Sequence, residues 1–561
     1  MRGGIVGMAG AWLLLCGFAK PEGDVPVIIV GSGFGGSIAA YNLAQHGVEA
    51  VVLERGRWWT VEDPTQENTF ATMPSVVEGD GKSSWLSESC RGNAYVNFPP
   101  PGTFKCAVTT GIIETVEATD NPNDRSPAIR AEGIAPLAAS GVGGGSLVYN
   151  GVSYPPLKAA WDVAYPANEL PFMEDVWTEL NKHGYFDEVL SVIAPTPIPQ
   201  DLLDSEPYAG TRLLRDFAVA AGYPLEDGTR EPLYHGTVIA PVAVSWDAVR
   251  DELAGKRAPS TIAGEAWFGI NSDAKRSLDK PDNYLGLAIA TGKVEVKALH
   301  TVTRIQFDPK TDLYHVEVMH TDLDYNELER FELTTRHLIV SAGSIGTTKL
   351  LVRARDTGDL PRLNEYVGTR WSSNGNANSF RFISDGVAPQ GGPAGIKIVN
   401  YDDPQNPVVF ENLPQRVPDF FASDPSLAPF LGASFNIGLG IPTATGHWRY
   451  EADTDTVVLS WPPEAGAKVY DKFISIMNEL GGTPYIVEQP ASQQYTAHPL
   501  GGVPLGLATD LNCRVHGYDQ LYAVDGSLVP GSGAATNPSI LIAALAQRCM
   551  DRVVTKIIAD L

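Results

Sequence analysis

VIIVGSGFGGSIAAYNLAQHGVEAVVLERG, residues 27–56, decides the fold. Four apolar residues, Val27 to Val30, make a run short enough for a buried strand. The run enters a turn holding Gly31, Gly33, Phe34, Gly35 and Gly36, and then a helix with Ala39, Ala40 and Leu43 in register. A second apolar strand follows and ends at Glu54. The result is a complete strand–helix–strand unit, which calls for a parallel sheet. Gly31 serves the tight turn, Gly33 lets backbone approach a pyrophosphate, and Gly36 lets the helix pack closely, while the helix N-terminus holds the phosphate charge. Glu54 stands 18 residues after Gly36, where it can accept from a ribose hydroxyl. The motif alone does not separate FAD from NAD.

Beyond Trp59 the periodicity breaks into polar, Pro-containing loops to about residue 105. ASGVGGGSLVYNG, residues 139–151, then has almost no side chains at Gly143, Gly144 and Gly145, so backbone can lie flat against something large. A flexible hinge is the other reading, but Leu147 and Val148 point to an ordered, buried segment. Residues 153–267 are richer in Pro, Trp and charge, with helical stretches such as TRLLRDFAVAAG, and read as a separate layer. KVEVKALHTVTRIQFD and YHVEVMH read as strands, and HLIVSAGSIGTTKLL as a buried strand entering a Gly-rich turn and helix. Residues 373–490 read as mixed strands and loops, and the last 65 residues as a strand, a loop and a long apolar-faced helix.

At 561 residues the chain is long for one core, and two domains are the natural division. Its 66 acidic residues against 41 basic ones give a net charge of -25, which disfavours nucleic acid and anionic membrane as partners. Past the N-terminus no stretch reaches the ~18 apolar residues of a membrane span. The N-terminal MRGGIVGMAGAWLLLCGFAKPEG reads as a secretory leader over residues 1–19, hence a secreted or periplasmic protein. A buried strand or an early start codon are the alternatives, and they leave the protein cytoplasmic. Removing the leader leaves Cys90, Cys106, Cys513 and Cys549, whose spacings fit no metal site. Free buried thiols and a Cys90–Cys106 bridge are both consistent with that count.

GSGFGG with ERG, GVGGGSLVYNG, SAGSIGTTKLLVRARDTGDLP, HPLGG, and AVDGSLVPGSG with TNPSI together resemble the glucose-methanol-choline (GMC) oxidoreductases, and within them the branch of non-covalent, FAD-containing cholesterol oxidases. The resemblance implies FAD rather than NAD. It implies an α/β fold in which a Rossmann-like FAD domain (24–60, 100–152, 268–372, 491–561) interleaves with a substrate domain of mixed sheet and helices (61–99, 153–267, 373–490). It also implies a monomer that oxidises a 3β-hydroxysteroid by hydride transfer to FAD, reduces oxygen to hydrogen peroxide, and isomerises the 5-ene-3-one to the 4-ene-3-one. Transient contact with a lipid surface belongs to the same expectation. Another bulky hydrophobic alcohol, or flavin and sterol binding without turnover, are the rival readings.

The chemistry needs a group to hold or remove the hydroxyl proton and donors for the developing charge. His498 and Asn537 each precede a proline, which confines them to extended backbone and aims both side chains in advance. His498 is expected to accept the substrate hydroxyl's hydrogen bond or proton, and Asn537 to donate to the oxygen or the flavin edge. A packed loop histidine and a helix-capping asparagine are the plainer readings. By the resemblance, Glu411 in VVFENLP is the isomerisation base, a task that suits a carboxylate in an apolar pocket; the alternative is a surface acid. The same frame gives FAD contacts to Asp525 and Gly526, to Gly143–Gly145 with Ser146 and Asn150, to Val302 through backbone, and to Asn537 and Pro538. Asp525 could instead form a turn, and Val302 simply be core. The chain departs from the branch pattern at Tyr149, Asn150 and Gly151, at Ala497 before the histidine, at Val503 after HPLGG and at Ser539 after Asn-Pro.

Overall fold

The structure is a computed structural model that describes residues 25–59, 113–115, 129–226, 235–257, 261–263, 274–322, 326–382, 391–413, 432–462, 464–486 and 494–561. The leader reading and the Cys90–Cys106 bridge lie outside the described residues.

Val27–Val30 is the central strand of a five-stranded parallel sheet. His337–Val340 and Ala50–Leu53 flank it, with Leu521–Ala523 and Val294–Lys297 at the edges. The three inner strands are buried at every position, and strands covered on both faces read as unbroken apolar runs rather than alternations. Helix Phe34–Gln45 follows the first strand and packs on the C-terminal helix Ser539–Asp560. Asn42 Nδ2 donates to Gln547 Oε1 at 2.9 Å, and Gln547 Nε2 donates back to Asn42 Oδ1 at 3.2 Å. The two ends of the chain therefore share one core.

A seven-stranded sheet runs in the order Thr483–Ile486, Ala377–Phe382, Ala433–Gly440, Val408–Leu413, Ile396–Asn400, His235–Ile239, Leu225–Glu226. It is antiparallel except at its last pair. Helices Ala209–Ala220 and Ala467–Glu479 cover one face through Leu214, Ala218, Val469, Phe473 and Ile476. The second helix was not read from sequence, although Val469, Phe473 and Ile476 recur at helical spacing. All five strands of the parallel sheet fall in the segments assigned to the FAD domain, and all seven of the larger sheet in those assigned to the substrate domain.

Two placements differ from the expected division. Strand His447–Glu451 pairs with Thr456–Ser460, which pairs in turn with Ile129–Glu132, and none of the three joins the seven-stranded sheet. Helices Phe172–Lys182 and Tyr185–Ile193 are no separate layer, because they pack on Ser539–Asp560. The apolar face of that helix pair, Val176, Leu180, Phe186 and Val189, needs a partner, and the C-terminal helix supplies one. Arg548 Nε bonds Glu179 Oε2 at 2.5 Å, and Tyr185 Oη donates to Asp551 Oδ2 at 2.8 Å. Among the described residues a disulfide joins Cys513 and Cys549, with Cα atoms 5.8 Å apart, where the sequence reading had free thiols. Among the described residues no helix is long and apolar enough to cross a membrane, and no cluster of metal-ligating side chains occurs.

Candidate active site

A cavity of about 970 Å³ runs from the Gly31–Gly35 turn and Glu54, past Gly144 and Gly145, to Glu411, His498 and Asn537. Gly31 has φ +93°, and a Cβ there would lie 2.4 Å from Ser341 O. Gly144 has φ +55°, and a Cβ on it would come within 2.6 Å of Gly33 Cα, so the two Gly-rich segments touch backbone to backbone. A Cβ at Gly145 would meet nothing within 4 Å. Phe34 and Tyr149 meet edge to face at 5.7 Å beside this opening. Asn150 Oδ1 is buried at the cavity without a hydrogen-bond partner. A bare backbone cradle at a helix N-terminus, with an unmatched acceptor beside it, fits a dinucleotide such as FAD.

Several expected contacts turn out to brace the cradle. Gly36, Gly143 and Ser146 do not line the cavity. A Cβ at Gly36 would meet Gly31 O at 2.0 Å, which is the close helix packing its position requires. Ser146 Oγ donates to Gly143 O at 2.7 Å and accepts from Leu278 N at 3.0 Å. Glu54 lines the cavity but already accepts from Ser32 N at 3.0 Å, Ser32 Oγ at 2.6 Å and Gly56 N at 2.8 Å. A carboxylate has about four acceptor sites, so roughly one remains for a ribose. Burial raises the pKa of Glu54. Asp525 caps the Gly526–Leu528 turn through Ser527 N at 2.8 Å and accepts from Thr347 Oγ1 at 2.5 Å, and burial raises its pKa too. Asp525, Gly526, Pro538 and the largely buried Val302 all line the cavity.

At the other end, strand register puts Glu411 directly opposite Lys397. Paired residues on neighbouring strands share a face, and Lys397 Nζ lies 2.7 Å from Glu411 Oε1 with both side chains 2% exposed. Asn537 closes a ring. Its Oδ1 accepts from Lys397 Nζ at 2.9 Å, and its Nδ2 donates to Glu411 Oε2 at 3.1 Å. Glu411 is therefore neither a surface acid nor alone in an apolar wall. Lys397 was not read from the sequence, where its signal is one cation inside the otherwise apolar strand IKIVN.

His498 is half-buried on the cavity wall, and its tautomer follows from its neighbours. Asn376 Oδ1 accepts from Ala497 N at 3.1 Å and from Thr496 Oγ1 at 2.7 Å. A backbone N–H can only donate, so the amide is fixed one way round and Asn376 Nδ2 donates to His498 Nδ1 at 3.0 Å. The neutral ring then carries its proton on Nε2. Burial, reinforced by the Lys397 charge, pushes the pKa of His498 down to about 4. Asn376 Oδ1 also lies 3.3 Å from Nδ1, and the shorter contact, from the amide nitrogen, is the one that leaves Nε2 as the ring's donor toward the cavity.

The chain matches the family model "GMC oxidoreductase" over residues 477–546 and that of an NAD(P)-binding Rossmann-like domain over residues 29–60. It is 27% identical over 367 residues to a cholesterol oxidase of Mycobacterium tuberculosis, a match covering 63% of this chain and 52% of the relative, so the chain spans about half of that protein's length. It is 23% identical to a cholesterol oxidase of Acinetobacter baumannii, over 95% of each chain. Among solved structures a fungal aryl-alcohol oxidase aligns with a TM-score of 0.57 at 15% identity, over 95% of this chain and 99% of that one. At that identity the likeness is one of fold.

Proposed function

We propose that the chain is an FAD-dependent oxidoreductase of the GMC kind and that it oxidises a 3β-hydroxysteroid to the ketone, with oxygen as the final acceptor. The observation that carries this reading is convergence. His498, Asn537 and Glu411, which are far apart along the chain, line the same cavity as the glycine cradle. When bound, FAD supplies the hydride acceptor. Gly33, Gly35, Gly144 and Gly145 would hold it by backbone, with Asp525, Gly526 and Pro538 beside them.

His498 holds the substrate oxygen by donating from Nε2, and Glu411 takes the hydroxyl proton at Oε2. Asn537, tied at both ends of its carboxamide, orients that carboxylate. The positive end of helix Ser539–Asp560 opens on the same cavity and favours negative charge there. Leu413 and Ile437 offer apolar wall to a ring system next to Glu411. Once it has released the hydroxyl proton to water, the same carboxylate would carry a proton from C4 to C6 of a 5-ene-3-one, which is the isomerisation.

A second reading has a specific support. The Lys397–Glu411 ion pair makes the reacting end more polar than a sterol ring requires, which suits a smaller or more polar alcohol. Incubating the holoenzyme in air with cholesterol, and separately with benzyl alcohol, while measuring peroxide and identifying products, decides between them. The sterol reading predicts peroxide and the 4-ene-3-one from cholesterol. Peroxide from benzyl alcohol alone favours the second reading, and peroxide from neither overturns both.

A further inference from the structure

Lys397 does not line the cavity; it stands behind two side chains that do. Its ammonium donates to Asn537 Oδ1 at 2.9 Å and to Thr536 Oγ1 at 3.4 Å, and it forms an ion pair with Glu411 Oε1 at 2.7 Å. The Tyr154 ring centroid lies 5.3 Å from the same nitrogen. Each end of the Asn537 carboxamide faces a partner that acts one way only, since the ammonium only donates and the carboxylate only accepts. The amide therefore has a single orientation, and reversing it would set like against like at both ends. A buried lysine is costly unless paired, and a plain apolar wall would be at least as stable as this ion pair. Stability alone does not account for it.

We propose that Lys397 is the positioning residue of this site: one ammonium sets the orientation of the Asn537 carboxamide and puts a positive charge behind the cavity wall that Asn537 and His498 share. This rests on the oxidase reading above for the meaning of Asn537 and His498, but the arrangement is testable without it. The Lys397 charge adds to burial in keeping the imidazole neutral. One residue thus serves a carboxamide and an imidazole that reach the cavity from different loops.

The test compares Glu411→Gln with Lys397→Met/Glu411→Gln, both as holoenzymes. Neither leaves an unpaired buried carboxylate, but Glu411→Gln leaves the Lys397 ammonium with only neutral acceptors, Asn537 Oδ1 and Thr536 Oγ1 among them, so the fold of both variants is checked by circular dichroism and flavin content. Lys397→Met alone would strand Glu411 and confuse positioning with folding. Labelled-histidine NMR reads the His498 titration without any substrate, and the proposal predicts a higher midpoint in the double variant than in Glu411→Gln. Lys397→Arg, which keeps the charge, is predicted to hold the midpoint low. Anaerobic mixing with cholesterol reads the rate of flavin reduction. That rate is predicted to be about tenfold or more lower in the double variant than in Glu411→Gln, at an unchanged half-saturating sterol concentration, because one charged hydrogen bond is lost. An unmoved midpoint, or equal rates in the two variants, overturns the proposal. If the wild-type protein does not reduce its flavin with cholesterol, the sterol reading fails, and the His498 midpoint still decides the part played by Lys397.

Discussion

Asn376 decides what His498 can do. With Oδ1 held by Ala497 N, its Nδ2 leaves the imidazole a donor toward the cavity. Replacing Asn376 by Leu frees Nδ1 and lets both tautomers form. Flavin reduction by substrate is predicted to slow by about tenfold, one hydrogen bond's worth, while flavin content stays the same. Because burial and Lys397 hold the His498 pKa at about 4, the ring is neutral throughout the physiological range. A pH profile of flavin reduction from pH 5.5 to 8 is predicted to lack the inflexion of an ordinary histidine near 6.5. An inflexion there that disappears in His498→Gln would contradict the assignment. His498 and Asn537 stood out in the sequence because each precedes a proline inside a motif, whereas Glu411 came only from the family resemblance. Asn376 and Lys397 were not, because their significance lies in partners 122 and 140 residues away.

At the scale of elements, the two glycine segments work as one. A methyl group at Gly144 would lie 2.6 Å from Gly33 Cα, in a backbone conformation that side chains rarely adopt. Gly144→Ala is therefore predicted to lower the ratio of bound flavin to protein at least tenfold while far-UV circular dichroism shows the fold retained. Full flavin occupancy would show that the cradle is not where the cofactor lies. The buried parallel strands were plain in the sequence because burial on both faces leaves no polar alternation to mislead. The helix Ala467–Glu479 was missed between strands, because its buried face, Val469, Phe473, Ile476 and Met477, is interleaved with other apolar residues such as Tyr470 and Ile474 that blur the helical spacing. The docking of Phe172–Lys182 and Tyr185–Ile193 on the C-terminal helix is a tertiary choice that no local pattern encodes.

Taken whole, the molecule has one source of acid sensitivity in its central sheet. His337 sits on an inner strand, 0% exposed, with neither ring nitrogen hydrogen-bonded, and the carboxylate of Asp560 is 3.8 Å away. Burial pushes its pKa down to about 4. The folded value lies below that of the unfolded chain, so this group's contribution is complete above about pH 6.5 and is lost as pH falls toward 4. His337→Leu is predicted to lose less stability than the parent between pH 7 and pH 5, by roughly 2 kcal/mol in urea titrations. Parallel losses in both proteins would place the acid sensitivity elsewhere. The partition of strands between the two large sheets could be read from the chain's alternating character. The disulfide could not, because Cys513 and Cys549 meet only once the C-terminal helix has docked.

The central claim is that one cavity brings an imidazole, a carboxamide and a carboxylate to bear on a sterol hydroxyl beside the flavin. Mixing the oxidised holoenzyme with cholesterol without oxygen, and following the visible flavin band, tests it most directly. The band is predicted to bleach in the parent protein and His498→Ala to slow the bleaching by a hundredfold or more, in the range of about 10²–10³ typical of a lost donor to a reacting oxygen. A band that persists with cholesterol, or that bleaches equally fast without His498, would contradict it.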